Sequence, residues 1–228
     1  MIDTLLAAIV NDDRTMVNSL LQSDAGLATQ VIDQAKLYQG PIFHWMYAGD
    51  TALHLAAAGH RAEMTRLLLT AGANPNASMN HRRGSPIHYA ADGQITEPTW
   101  NAEAQLQTIG ILSEAGADIN AQDMNGATPL HRAVRTRSAA AVAFLLSLGA
   151  APALKNKSGS TPFHLAVQNT GHGGTGDPKA KDAQRQIIAT FLSLGIDVGL
   201  KDGRGRSVLD CAKSDWIRDL LTKNLSEK

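Results

Sequence analysis

The sequence predicts an all-α fold, a solenoid of about six helix-turn-helix units. Three observations predict it: one short phrase recurs along the chain, a glycine ends most copies of the unit, and neighbouring copies stand about 33 residues apart. Units that recur at such a spacing stack, because one helix pair cannot bury its apolar face alone. The five copies are TALHLA from Thr51, SPIHYA from Ser85, TPLHRA from Thr128, TPFHLA from Thr161 and SVLDCA from Ser207.

The fourth unit shows the elements in order. Thr128 is a helix-capping residue type, and Pro129 follows at the first helical position, where a missing N–H costs nothing. The first helix is therefore predicted from Pro129 to about Thr136. An apolar series over residues 142–146 has the spacing of a second helix that is buried on one side. Gly149 is expected to end that helix in a left-handed conformation.

With these motifs and the endings LLTAGA at 68–73, LSEAGA at 112–117 and LLSLGA at 145–150, the chain resembles the ankyrin-repeat family over nearly its whole length. The resemblance implies that the Thr of each phrase bonds to the His three residues later, as in the pairs Thr51 and His54, Thr128 and His131, and Thr161 and His164. Three departures leave the turn shape of their units open: Ala52 replaces the usual Pro, Gly59 stands one place early, and Asp210 replaces His.

The chain divides into one domain with two caps and three insertions. The repeat positions assign a capping unit to 1–33, an aromatic insertion to 34–50, four central units to 51–200 with insertions near 92–102 and 170–182, and a second capping unit to 201–228.

Composition indicates a module without a strong bulk charge. The chain has 21 basic and 21 acidic residues, so neither nucleic acid nor a membrane is expected as a partner. The start MIDTLLAAIVNDD lacks a basic region and a long apolar run, so no secretory signal or membrane span is expected. The single cysteine fits a reducing compartment. We therefore expect a cytoplasmic protein that is a monomer on its own.

No motif in the chain favours catalysis, and no metal or other cofactor is expected. Four of the eight histidines occupy the same phrase position, and stacked units about 8–10 Å apart cannot bring them to one ion. GHGGTGD at 171–177 matches a phosphate-loop spacing, but a helix rather than a strand precedes it, and Asp177 stands where a Walker lysine is needed. Cys211 has no histidine near it in sequence. The four phrase histidines and Cys211 are therefore expected to be structural, and the segment at 171–177 is expected to be a flexible or partner-contacting insertion.

The first insertion contains an unusual cluster of large aromatic residues. Phe43, Trp45 and Tyr47 lie in the segment YQGPIFHWMY, and such side chains are frequent interface anchors. Two interpretations stay open: the loop presents them to a partner, or it folds back and buries them on units two and three. Trp100 in the second insertion carries the same ambiguity.

A second candidate surface is the concave groove that the resemblance implies. It assigns Tyr89, Asp92, Arg132 and Arg135 to positions that are free of packing contacts and that face a partner. The loops between units add basic residues, among them Arg82 and Arg83, which indicate an acidic partner surface or solvated loop tips.

The predicted function is that of a non-catalytic module, or scaffold, that binds a partner protein through the groove and the loops. Two alternatives stay open. One is a small-molecule or nucleotide-binding protein that uses the inserted loops, and the other is an accessory or inhibitory subunit of a separately encoded enzyme. The predicted partner site, across units two to four, comprises Phe43, Trp45, Tyr47, Arg82, Arg83, Tyr89, Asp92, Trp100, Arg132 and Arg135.

Overall fold

The computed structural model describes residues 1–38, 41–93, 95, 100–168 and 176–226. Over these residues the α-helices follow one another in six pairs, here called units one to six. They are α1 (Ile2–Val10) and α2 (Arg14–Ser23), α3 (Ala52–Ala58) and α4 (Ala62–Thr70), α5 (Pro86–Ala91) and α6 (Ala102–Glu114), α7 (Pro129–Arg135) and α8 (Ala139–Ser147), α9 (Pro162–Ala166) and α10 (Pro178–Ser193), and α11 (Val208–Cys211) and α12 (Asp215–Ser226).

The pairs stack in two layers. In one layer α1, α3, α5, α7, α9 and α11 contact one another in sequence, and in the other α2, α4, α6, α8, α10 and α12 do the same. The apolar residues between the layers form one continuous core, which includes Leu53, Leu130 and Phe163 at 0% exposure. The predicted all-α ankyrin-type solenoid is confirmed.

The repeated phrase folds as a reciprocal helix cap that also joins neighbouring units. The backbone N–H of Thr128 donates to Nδ1 of His131 at 3.1 Å, and Nε2 of His131 donates to the carbonyl of Ser160 in the next unit at 3.0 Å. His54 and His164 make the same two bonds, as the resemblance implied. Burial lowers the pKa of His131, which favours the neutral ring that this bonding pattern requires.

The departure at Asp210 preserves the cap. Its carboxylate accepts the backbone N–H of Ser207 at 2.7 Å, and its own N–H donates to the Ser207 hydroxyl at 2.9 Å. A carboxylate has no N–H, so it cannot donate to the carbonyl of the next unit as the histidines do through Nε2. Asp210 instead lies 3.6 Å from the ammonium of Lys201.

The glycines that follow the second helices of units two to five have the expected left-handed conformation. The φ angles are 95° at Gly72, 85° at Gly116, 90° at Gly149 and 71° at Gly195. A Cβ atom at Gly149 would meet nothing within 4 Å, so the backbone angle rather than crowding favours glycine there.

The first insertion forms a hairpin of β1 (Lys36–Tyr38) and β2 (His44–Met46), paired antiparallel with Leu37 opposite Trp45. The second insertion leads into α6, whose N-cap is Asn101. The third leads into α10, which begins at Pro178 within the range expected for that insertion. Most of the glycine-rich segment at 171–177 lies outside the described residues.

Candidate partner-binding surface

The hairpin lies across the first helices of units two and three, with alternate residues facing inward. Ile42 and Met46 are buried, at 2% and 0% exposure, and the His44 ring packs 4.9 Å from the ring of Tyr89. A side chain at Gly59 would overlap Cδ1 of Ile42, so the glycine provides the space in which Ile42 packs. The departure at Gly59 is thus explained by the insertion.

A buried carboxylate, Asp50, joins the base of the hairpin to units two and three. The Tyr89 hydroxyl donates to both oxygens of Asp50 at 2.9 and 3.0 Å, Asn80 donates to it at 2.7 Å, and the Tyr47 N–H donates at 2.7 Å. Burial and then the charge of Asp50 raise the pKa of Tyr89. Tyr89 is 1% exposed, so the prediction that it is free of packing contacts is wrong.

Arg132 lies between two carboxylates beneath the hairpin. Its Nη1 donates to Oδ2 of Asp92 at 2.9 Å and its Nη2 donates to Oδ2 of Asp123 at 3.2 Å, and the residue is 8% exposed. Burial alone would raise the pKa of Asp92, but His44, Arg132 and Arg135 outweigh it and hold that pKa at about 2. Arg132 and Asp92 therefore stabilise the scaffold, and the expectation that these two positions are free of packing contacts is also wrong.

Other predicted site residues are exposed. Phe43 is 57% exposed and Trp45 is 50% exposed, on the outward face of the hairpin. The guanidinium of Arg82 lies 4.7 Å from the centre of the Tyr47 ring, and Arg83 is exposed beside it. Both interpretations of the aromatic insertion therefore apply, because the segment packs on units two and three and also presents aromatic rings outward.

A cavity of about 730 Å³ lies beside the hairpin, at the turns between the first and second helices of units two to four. Trp100 lines it, half-buried, with its ring held edge-on to His60 at 5.1 Å. Arg135 lies at the cavity with its side chain 65% exposed. The structure thus places the predicted Phe43, Trp100 and Arg135 around one concavity.

The loops between units carry several exposed basic side chains. Lys155, Lys157 and Arg204 are among them, and the guanidinium of Arg206 forms an ion pair with Asp202 at 2.8 Å. Among the described residues, no group of His, Cys, Asp and Glu side chains is arranged to hold a metal ion. Within the same ranges, no helix has the length and apolar content needed to cross a bilayer.

The sequence interpretation missed the residues that hold the hairpin in place. Ile42, His44 and Met46 alternate with Phe43 and Trp45, which is the period of a strand. That alternation was a usable signal, but it spans only five residues. Asp50 gave no signal, because an Asp next to Gly49 is also a common turn residue.

Models of known families match most of the repeat region. A model described as ankyrin repeats in three copies matches residues 101–202, and a single ankyrin-repeat model matches residues 48–80. The chain belongs to the ankyrin-repeat family.

Several curated relatives are similar to this chain over part of their length. The B-cell lymphoma 3 protein homolog of Mus musculus is 31% identical over 75% of this chain and 42% of its own length. The transient receptor potential cation channel subfamily A member 1 of Homo sapiens is 33% identical over 52% of this chain and 10% of its own length. Ankyrin repeat domain-containing protein 37 of Bos taurus is 39% identical over 43% of this chain and 56% of its own length. The chain therefore spans between 10% and 56% of the length of these relatives. Membership of this family indicates a role in protein–protein interaction.

Proposed function

We propose that this chain is a non-catalytic module that binds a partner protein through the outward face of the hairpin and the loop beside it. The contact residues are Phe43, Trp45 and Tyr47, with Arg82 and Arg83 at the edge. The observation that carries the proposal is the alternation over residues 42–46, in which Ile42 and Met46 are buried while Phe43 and Trp45 stay exposed. Large aromatic side chains on a fixed support lose little conformational entropy on binding, which makes them effective anchors.

The buried cluster supports this surface from below. Tyr89, Asp92 and Arg132 contact the hairpin or one another and hold it against the repeats. Because the hairpin covers the first helices of units two and three, the partner binds to the hairpin instead of entering the groove there. The NF-kappa-B inhibitor delta of Mus musculus, 32% identical over 54% of this chain, is by its name an inhibitor of another protein and supports a protein partner.

The test is capture of the partner by the full chain, followed by affinity measurement with substituted chains. Proteins that the wild type retains at stoichiometric amounts are identified by mass spectrometry. Phe43→Ala and Trp45→Ala should each weaken binding by about 2 kcal/mol, or roughly thirtyfold. Circular dichroism should show an intact fold. Leu194→Ala is the matched control, because Leu194 is 55% exposed but lies at the end of α10.

Charge reversal tests the edge of the surface. Arg82→Glu combined with Arg83→Glu should chiefly slow association, and the slowing should shrink as salt is added. The proposal is wrong if the Phe43 and Trp45 variants bind normally while changes at Lys201 or Arg204 abolish binding.

A further inference from the structure

The cavity beside the hairpin is built by both insertions together with the repeats. The hairpin segment contributes Ile42 and Phe43, the second insertion contributes Trp100, and unit four contributes Arg135. Its volume of about 730 Å³ lies within the range of about 300–1,000 Å³ that is usual for ligand-binding clefts. It is therefore large enough to receive a side chain of a partner.

One wall of the cavity is apolar and well supported. Ile42 is buried against Gly59, and the Trp100 ring is positioned by His60. Phe43 lines the cavity and is also 57% exposed, so it stands at the mouth. An aromatic or aliphatic side chain that enters between Phe43 and Trp100 would have both of its faces removed from water.

The polar end of the cavity favours an anion. Asp92, which lines the cavity, is paired with Arg132 at 2.9 Å and lies 3.6 Å from Arg135. Arg61 and Arg135 also line the cavity, so its charged lining residues are more basic than acidic. Arg135 lies too far from Asp92 for a good hydrogen bond. Its guanidinium makes no hydrogen bond to any residue that the structure describes. Its five donors suit the bidentate binding of a carboxylate.

We propose that this cavity binds an acidic peptide segment of the partner, with an apolar side chain between Phe43 and Trp100 and a neighbouring carboxylate on Arg135. The inference rests on the proposed function, since the bound segment would continue over the exposed Trp45. A peptide is favoured over a free acid because the mouth of the cavity adjoins the exposed aromatic face of the hairpin, where a longer chain makes further contacts.

The experiment selects a phage-displayed library of random twelve-residue peptides on the full chain. The enriched peptides should contain Asp or Glu within about three residues of an aromatic or aliphatic residue. Synthetic copies should lose about ten- to a hundredfold in affinity on Arg135→Glu, and they should also weaken on Trp100→Ala. A peptide whose acidic residue is replaced by Lys should recover binding to Arg135→Glu. Arg66→Glu, on the exposed face of α4, is the matched control and should stay within about twofold of wild type.

Three results would overturn the inference: selection of basic peptides or of none, equal binding of the selected peptides by Arg135→Glu, and binding of indole-3-acetate as tight as that of the peptides. The last result would indicate a site for small acids. If binding needs Phe43 and Trp45 but neither Arg135 nor Trp100, the cavity assignment fails and the proposed function stands. If peptide binding needs Arg135 and Trp100 while the captured partner binds the Phe43 and Trp45 variants as tightly as wild type, the proposed function fails instead.

Discussion

Tyr89→Phe tests whether Tyr89 is a structural residue of the scaffold or a partner anchor. The substitution keeps the buried ring and removes only the hydroxyl that donates to Asp50 at 2.9 and 3.0 Å. A hydrogen bond to a charged group contributes about 1.5–3 kcal/mol. Asp50 keeps its hydrogen bonds from Asn80 and from the Tyr47 backbone, so the buried carboxylate loses one donor but still has two hydrogen-bond partners. We expect a loss of about 1.5–3 kcal/mol in the free energy of unfolding.

The assay is urea unfolding at pH 7, followed by circular dichroism, together with thermal melting. For a chain of this length each kcal/mol corresponds to about 2–4 °C, so Tm should fall by about 3–12 °C. Tyr38→Phe is the matched control, because this half-buried Tyr makes a cation–π contact with Lys36 through its ring, which Phe retains. A double-mutant cycle with Asp50→Asn should show coupling, since both variants remove part of one interaction.

Two results would refute this reasoning. A stability within about 0.5 kcal/mol of wild type would show that the Tyr89 hydroxyl contributes little. Normal stability combined with weakened partner binding would show that Tyr89 is an anchor, as its position in the repeat first indicated.

Three further changes have defined outcomes. His131→Ala should lower the free energy of unfolding by about 1–3 kcal/mol, because two backbone groups lose their partner; an unchanged urea midpoint would contradict this. Gly59→Val should displace Ile42 and speed amide hydrogen exchange in the hairpin while the helices stay protected, and unchanged exchange would show that the hairpin is held by other contacts. Burial lowers the pKa of His60 and of His88 from 6.5 to about 4, so both rings stay neutral in the fold while the unfolded chain takes up protons. The contribution of each neutral ring to the free energy of unfolding is fully present above about pH 6.5 and is lost as the pH falls towards 4, by up to about 3 kcal/mol for each histidine. A Tm that stays constant between pH 7 and 4.5 would contradict this.

The repeat scaffold could be predicted from sequence because its determinants are local. The bond from Thr128 to His131 spans three residues, and the left-handed turn at Gly149 depends on one backbone angle. Both recur in successive units, so the repetition itself made them recognisable. Asp210 could replace His for the same reason, since a carboxylate also accepts the N–H of the capping residue.

The candidate site was predicted only in part because it depends on contacts between distant segments. Phe43 and Trp45 were identified by residue type alone. Tyr89 and Arg132 were assigned to an open groove from their positions in the repeat. That assignment applies to repeats that no insertion covers. Here the inserted hairpin lies over them, and Asp50, which is 39 residues from Tyr89, fixes that arrangement.

The seating of the hairpin on Gly59 has a consequence for how such a surface diversifies. Residues that anchor β2 alternate with residues that a partner would touch, so the two sets can be exchanged independently. A graft that replaces Phe43 and Trp45 but retains Ile42, His44 and Met46 should fold on the same repeats and acquire a new binding preference. In this respect the segment is comparable to an antibody loop, which varies in sequence while its framework stays constant.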